Sequence, residues 1–419
     1  MKLLFTQDAL VNAGAERSHL EILSRFSDQL DVGMAYFYPK HELREEYQRA
    51  GIRLFFLDIA ETYHFSLAIY RLVKLIRQEK PDLMVSCLWR SDMITRIASW
   101  ITGVPVVGTL VNDSYSLIAW KKKKGLKHRV VYWLDRLSAK IPVHWIANAQ
   151  ALVDSHVKTL GLDPRRITVV YRGRFVPERY IIAPARSGGR EERPACPELD
   201  SGNQSFIDQE TASPDSVGIP VAGEIRNFIS YGRLLERKGF QDAIQAFAMV
   251  IQSYPGCTLT IFGEGPYRKE LELLVQDLGL QDSVFLPGKI PNPMEVLLNG
   301  YSPLPTVHCS LLTAHCFLFP SWYEGFSGAL VEAMMAGIPI IASDIPMNLE
   351  AVENQKSALV FPVNDLKVLE EKMRHAIEHP ALMESLGQEA RKVAIQKFNI
   401  EKIAQQYEST LKEIYRQIK

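Results

Sequence analysis

Short apolar runs alternate with longer amphipathic stretches along most of the chain. In the first half, the runs at 2–6, 32–38, 54–58, 83–87, 106–111, 145–148 and 167–171 are rich in Val, Ile, Leu and Phe. They are short, lack polar alternation and are bounded by Gly, Pro, Asn or Asp, which predicts strands buried on both faces. Helical spacing separates them, as in Leu20, Leu23, Phe26 and Leu30. The second half repeats the design with runs at 228–231, 259–262, 284–286, 317–319, 338–342 and 359–361. Its helices carry Ile244, Phe247 and Ile251, or Leu271, Leu274, Val275 and Leu278, and Pro266 stands where the second of these would begin. Such alternation predicts an α/β protein of two doubly wound, Rossmann-like domains. Ligands of these sheets bind at the carboxyl ends of the strands, here facing each other across a cleft.

The domains predicted are residues 1–180 and 226–399, joined by a segment at 181–225 and followed by a helix at 400–419. Between 181 and 224, Pro, Gly, Ser, Glu and Asp dominate and Phe206 is the only aromatic residue. That composition cannot offset its ordering entropy and predicts a mobile interdomain insertion. A second irregular stretch runs from Pro291 to about Leu312. The final helix carries Ile403, Tyr407, Leu411, Ile414 and Tyr415 on one face, a stripe that must be covered by something.

Composition narrows the function classes. The 419 residues hold 48 Lys plus Arg against 48 Asp plus Glu, so no overall field attracts nucleic acid. Five scattered cysteines without a Cys-x-x-Cys argue against a disulfide scaffold and for a reducing compartment. The opening Met-Lys-Leu-Leu-Phe-Thr-Gln-Asp has too short an apolar core for a signal peptide, and no run is apolar enough to span a membrane. A cytoplasmic location is expected, with the inner face of a membrane as a variant of it.

The most informative segment runs from Phe319-Pro320-Ser321 through Glu324-Gly325-Phe326-Ser327-Gly328 to Glu332 and Ala336-Gly337-Ile338-Pro339. A strand ends at Pro320, a loop carries Glu324, and glycines open a helix that stops at Gly337. Bare N–H groups at a helix start attract anions, and small residues let a phosphate or sugar approach the backbone. Two carboxylates so placed could hold pairs of sugar hydroxyls; the plain alternative for Glu332 is a solvated helix residue.

This segment resembles retaining glycosyltransferases of the GT-B architecture, family 4. Their signature is a Glu, seven residues and a second Glu, preceded by Pro-Ser and followed by Ala-x-x-x-Gly-x-Pro. Tyr231-Gly232-Arg233-Leu234-Leu235-Glu236-Arg237-Lys238-Gly239, Phe262-Gly263-Glu264-Gly265-Pro266, Phe285-Leu286-Pro287-Gly288 and Val169-Val170-Tyr171-Arg172-Gly173 match further landmarks in order. The resemblance implies that Arg233 and Lys238 bind the donor diphosphate, Glu324 the transferred sugar and Glu332 the ribose. Gly14, Gly232, Gly325, Phe326, Ser327 and Gly328 would lie near donor sugar and phosphate. Gly263, Gly288, Lys289 and Ile290 would flank the base. It implies no metal and no cofactor beyond a nucleotide-sugar co-substrate such as a UDP-, GDP- or ADP-sugar. The acceptor would be a hydroxyl on a lipid-linked glycan, a polysaccharide or a small molecule.

Read as ordinary surface residues, Arg233 and Lys238 would pair with Glu236, and Arg237 is the blandest of the three cations. Two departures touch geometry: Ala13-Gly14-Ala15-Glu16-Arg17 keeps one glycine where the family has two, and Ser327 stands where Gly is common. On the acceptor side, Asn112, Asp113 and Arg90 are candidates by position, as is Arg96; turn chemistry explains the first two equally well. Trp120 followed by Lys121, Lys122, Lys123 and Lys124, then Lys127, His128 and Arg129, suits an anionic membrane surface or a plain solvated loop. His308-Cys309 and His315-Cys316 lack the paired spacing of a zinc site. The rival functions are a nucleotide-sugar epimerase of the same architecture, a dinucleotide oxidoreductase, for which no Gly-x-Gly-x-x-Gly follows a strand, and a catalytically dead sugar-nucleotide binder.

Overall fold

Uninterrupted runs of Val, Ile, Leu and Phe can be satisfied only between two layers of helices, and here they form two fully parallel sheets. The structure is a computed structural model that describes residues 1–61, 64–113, 115, 119–120, 125–177, 225–290, 292–299 and 315–419. The first sheet contains β1 (Lys2–Gln7), β2 (Asp31–Tyr36), β3 (Arg53–Phe56), β4 (Leu83–Ser86), β5 (Val106–Leu110), β6 (His144–Ala147) and β7 (Ile167–Val169), in the order β3-β2-β1-β4-β5-β6-β7. The second contains β8 (Asn227–Tyr231), β9 (Thr258–Phe262), β10 (Val284–Gly288), β11 (His315–Phe319), β12 (Ile340–Ser343) and β13 (Leu359–Phe361), in the order β10-β9-β8-β11-β12-β13. The order reverses between β1 and β4 and between β8 and β11, which places a ligand crevice at the carboxyl end of each pair.

Among the described residues, the helices around the first sheet include α1 (Gly14–Leu23), α2 (Arg44–Arg49), α3 (Phe65–Glu79), α4 (Trp89–Thr102), α5 (Leu126–Ser138) and α6 (Gln150–Leu160). The second sheet is followed and flanked by α7 (Phe240–Ser253), α8 (Arg268–Asp277), α9 (Pro293–Asn299), α10 (Gly328–Ala336), α11 (Pro346–Ala351), α12 (Leu366–Glu378), α13 (Pro380–Lys397) and α14 (Ile400–Ile418). The predicted strands appear within a residue or two. The first predicted helical stripe is cut short: α1 ends at Leu23, and Phe26 and Leu30 follow in a turn while still packing in the core. The insertion at 181–225 lies outside the described residues up to 224, as do Lys121–124 and most of the 291–312 stretch.

The cores tie the two halves together. One apolar cluster is shared, joining Leu110, Ala147 and Leu152 of the first half to Phe317, Phe326, Leu330 and Phe398 of the second. The chain crosses between the halves twice, and the crossings touch. The Arg174 N–H donates to the Phe398 carbonyl at 2.8 Å, and the Ile400 N–H donates to the Arg174 carbonyl at 3.1 Å. Gly173 is needed there, because a Cβ would sit 2.7 Å from the Ile400 Cα.

After the second crossing, Asn399 caps α14 by accepting from the Glu401 N–H at 2.9 Å. The helix then lays Ile400, Ile403, Ala404, Tyr407, Leu411 and Ile414 into the core of the first domain, beside Leu3, Phe5 and Leu20. Tyr415 extends the contact by donating to Asp82 at 2.7 Å. The last helix of the chain is therefore a structural part of the first domain. Leu411 is fully buried there, so Leu411→Ala should cost about 2–5 kcal/mol of first-domain stability. Hydrogen exchange of the β1 amides reads this directly; unaltered protection of β1 would mean that the helix is only loosely attached.

Candidate functional site

Three loops at the carboxyl ends of β8, β9 and β10 interlock through glycines. The Gly232 N–H bonds to the Phe262 carbonyl at 3.0 Å, the Leu234 N–H to the Glu264 carbonyl at 3.0 Å, and the Gly263 N–H to the Gly288 carbonyl at 2.8 Å. A Cβ on Gly263, at φ +147°, would strike the Gly232 carbonyl, so this glycine is required by loop-on-loop packing alone. The chain then enters a one-turn 3-10 helix, Glu236–Lys238, closed by Gly239 in the left-handed region at φ +67°.

That turn delivers two cations to one carboxylate. Glu324 is 8% exposed, and its oxygens accept from Lys238 Nζ at 2.5 Å and face Arg237 Nη1 at 3.3 Å. Ser321 Oγ donates to it as well, at 3.3 Å. Burial pushes the Glu324 carboxyl up, but Lys238 and then Arg237 outweigh it, and the net result lies below the usual carboxylate range. Lys238 thus pairs with Glu324 rather than Glu236. Arg237 is no bystander either: it also donates to the Tyr323 carbonyl at 3.0 Å and stacks over the Tyr323 ring, fixing the loop that carries Glu324. Arg233, one turn away, is exposed, and its charge is felt across the cleft by Glu16.

Glu332 is held from both sides. Arg174 Nε donates to one oxygen at 2.5 Å and Tyr231 Oη to the other at 2.6 Å. Burial and then Glu332 raise the Tyr231 phenol well above its ordinary value, so it remains a donor. Arg174 is itself buried and reaches Glu21 of α1 at 3.1 Å and Ser18 at 3.2 Å. Burial opposes its charge, yet Glu332 and Glu21 prevail and its basicity rises. Gly328 opens α10 with no side chain because the Arg174 guanidinium occupies that space.

The rest of the Glu324–Glu332 segment faces the first domain. A Cβ on Gly325 would collide with the Val111 carbonyl, and the Phe326 N–H donates to Asn148 at 3.3 Å. The Phe326 ring packs between Tyr171 and Phe398, and Ser327 is buried at the start of α10 without capping it. Glu350 of α11 accepts from the Gln150 and Ala151 N–H groups at 2.7 and 2.6 Å, capping a helix of the other domain. Lys289 stands 3.7 Å from Glu42 across the cleft rim, and Ile290 packs against the shared core.

From the first domain, Arg172 projects toward this cluster. Burial and then repulsion from Arg174 lower it to about 10, while Glu324 and Glu16 hold its charge. Its guanidinium lies 3.4 Å from where a Gly14 Cβ would be. Burial raises Glu16 above the usual carboxylate range. Arg172, Arg174, Tyr231 and Asn148 were given no role from sequence; the only signal was the Tyr-Arg-Gly-Arg run at 171–174, where two arginines flank a glycine just before the crossing.

The acceptor-side candidates converge only in part. Asp113 accepts from Ser155 Oγ at 2.6 Å, Arg90 lies over the Tyr38 ring, and exposed Asn112 borders a cavity of about 70 Å³. Arg96 lines the same cavity, but it is 2% exposed and engaged, pairing with Asp135 at 2.6 Å and Asp92 at 3.4 Å. Cys316 is buried in β11, where burial raises its thiol, and His308 and Cys309 lie outside the described residues. Among the described residues, no three His, Cys, Asp or Glu side chains gather as a metal set.

Residues 219–393 match the family model described as glycosyl transferases group 1, and residues 13–174 match that of glycosyltransferase family 4. An uncharacterized glycosyltransferase of Methanocaldococcus jannaschii is 24% identical over 301 residues, which cover 66% of this chain and 58% of that protein. The UDP-Gal:alpha-D-GlcNAc-diphosphoundecaprenol alpha-1,3-galactosyltransferase of Escherichia coli is 25% identical over 303 residues, 71% of this chain and 67% of its own. The chain thus spans roughly three-fifths to two-thirds of these relatives' lengths. The Anabaena HepE protein in complex with UDP-glucose shares the fold, with a TM-score of 0.73 at 20% identity over 99% of this chain and 100% of that one.

Because Arg174 balances two carboxylates in a nearly dry site, Arg174→Ala should lower the unfolding free energy by about 3–5 kcal/mol. Arg174→Lys should recover only part, since one ammonium cannot span both Glu332 and Glu21. Urea denaturation of the three proteins measures the order; equal midpoints would refute the clasp.

Proposed function

This chain has the GT-B fold and both its domains match glycosyltransferase models, and from that premise we propose that it moves a sugar, with retention at the anomeric carbon, from a nucleotide-sugar donor to an acceptor hydroxyl in glycan, glycolipid or polysaccharide synthesis. The observation that carries the proposal is the cation cluster at the carboxyl ends of β8 and β11: Lys238 and Arg237 on Glu324, exposed Arg233 earlier in the same loop, and Arg172 opposite.

A departing nucleoside diphosphate gains negative charge as its bond to the sugar breaks. Fixed cations aimed at that charge stabilise the transition state more than the bound donor. Lys238 and Arg233 take this role, and the start of α10 adds backbone N–H groups. Glu324, kept ionised by its two cations, can only accept, which suits hydroxyls of the transferred sugar. A carboxylate has about four acceptor sites, so Glu332 can hold ribose hydroxyls while keeping Arg174 and Tyr231. An acceptor hydroxyl entering from the first domain attacks the same face that the diphosphate leaves and passes its proton to the departing phosphate oxygen, giving retention without an enzyme nucleophile. Cationic side chains do the leaving-group work, so the reaction is proposed to need no metal. Uridine diphosphate hexoses are the first donors to screen, given the names of the relatives.

Two outcomes test the reading. Arg233→Ala removes an exposed side chain, so its melting temperature should be unchanged while turnover falls by roughly two orders of magnitude. Wild-type turnover would dismiss Arg233 from the site. Transfer should also persist in excess EDTA, and loss of activity that Mg²⁺ or Mn²⁺ restores would replace the metal-free mechanism.

A further inference from the structure

Helix α5 is mounted with its apolar side outward. Leu126, Val130, Trp133, Leu134 and Leu137 fall on one stripe at helical spacing, and a stripe of that kind ordinarily lines a core. Here Leu126 is 77% exposed, Val130 48%, Trp133 54%, Leu134 49% and Leu137 63%. The side turned toward the domain combines the Tyr132 ring, packed against the shared core and Tyr115, with polar anchors. Asp135 is buried and accepts from Arg96 at 2.6 Å and from Tyr115 Oη at 2.5 Å, and Tyr132 Oη donates to the Thr159 carbonyl at 2.6 Å. A clamp of ion pair and hydrogen bonds therefore holds the helix, and its apolar stripe contributes nothing to the core. Trp100 of α4, one turn past Arg96, is 77% exposed as well.

The charges beside the stripe have one sign. Lys127, Arg129 and Lys140 lie along or just beyond α5, while Arg136 donates inward to the Thr159 carbonyl at 2.6 Å and the single acid, Asp135, also faces inward. We infer that α5 docks this protein on an anionic lipid bilayer, with the stripe at the headgroup–acyl boundary and the cations over the phosphates. Basic flanks around an aromatic and leucine face are the make-up of an interfacial helix. A second copy of the chain fits less well, because a twofold pairing of this face would bring the same cations together. The docking itself rests on α5 alone and is independent of the proposed reaction.

The test is co-sedimentation of the full chain with vesicles of phosphatidylglycerol and phosphatidylethanolamine, against vesicles of phosphatidylcholine. Wild type should bind the anionic vesicles, weaken as salt rises and bind phosphatidylcholine poorly. Trp133→Glu with Leu137→Glu should cut partition at least ten-fold. Arg129→Glu with Lys140→Glu should cut it by roughly five-fold or more per cation removed. Melting temperatures and thermal shifts by UDP should match wild type, since these positions are exposed. Brominated acyl chains should quench wild-type tryptophan emission but not that of Trp133→Ser to the same extent. Binding that ignores lipid charge or the double Glu variant would overturn the proposal. So would a wild-type dimer that the Glu variant dissociates, with no vesicle binding.

Discussion

The Arg174 guanidinium sits where the chain first leaves one domain and where it later returns, and its charge has to be balanced in a site that water barely reaches. Glu21 balances it from the first domain and Glu332 from the second. A buried cation with one acid from each side fixes the separation and rotation of the two halves, because movement of either half leaves a charge unpaired. Neighbouring features follow from it. Gly328 lacks a side chain so that the guanidinium fits, and Gly173 lacks one so that the two crossings can touch. Glu332, the second carboxylate of the signature, takes its orientation from Arg174 and Tyr231 before any ligand arrives.

The donor side shows the same economy of backbone. Loops after β8, β9 and β10 exchange main-chain hydrogen bonds, and each glycine that permits a close approach serves a neighbouring loop. The 3-10 turn after β8 then has little freedom, so Lys238 and Arg237 meet Glu324 in a fixed geometry. Desolvation weakens any ion pair that lacks good geometry. Here Ser321 and two cations meet one carboxylate, and Glu324 stays ionised despite its burial.

In the first domain, polar groups are used for attachment where apolar ones would be the ordinary choice. Arg96, a candidate for the cleft by sequence position, borders the cavity beside Asn112 but is engaged by Asp135 of α5 and Asp92 of α4. Because that network anchors the helix, the helix can turn its leucines and tryptophan outward. At the opposite end of the chain the arrangement is conventional: α14 buries its stripe, and the first domain is incomplete without it.

Strand positions and the two-domain division were legible because apolar runs report burial residue by residue, whereas the stripe on α14 announced only that something covers it, not which domain. The placement of Glu324, Glu332, Arg233 and Lys238 just past the ends of β8 and β11 was legible, because the motif holds them at fixed spacing from those strands. Arg237, Arg172 and Arg174 were not, since an arginine in a sequence looks alike whether it lies in solvent or between two carboxylates. Gly325 and Gly328 announced a close approach, but only the assembled domains show that what approaches is the Val111 carbonyl and the Arg174 guanidinium. Likewise the spacing of the α5 stripe does not tell whether it is buried or exposed. Periodicity records which side of a helix is apolar; which side meets the protein is decided by partners distant in the chain, here Arg96, Tyr115 and Thr159.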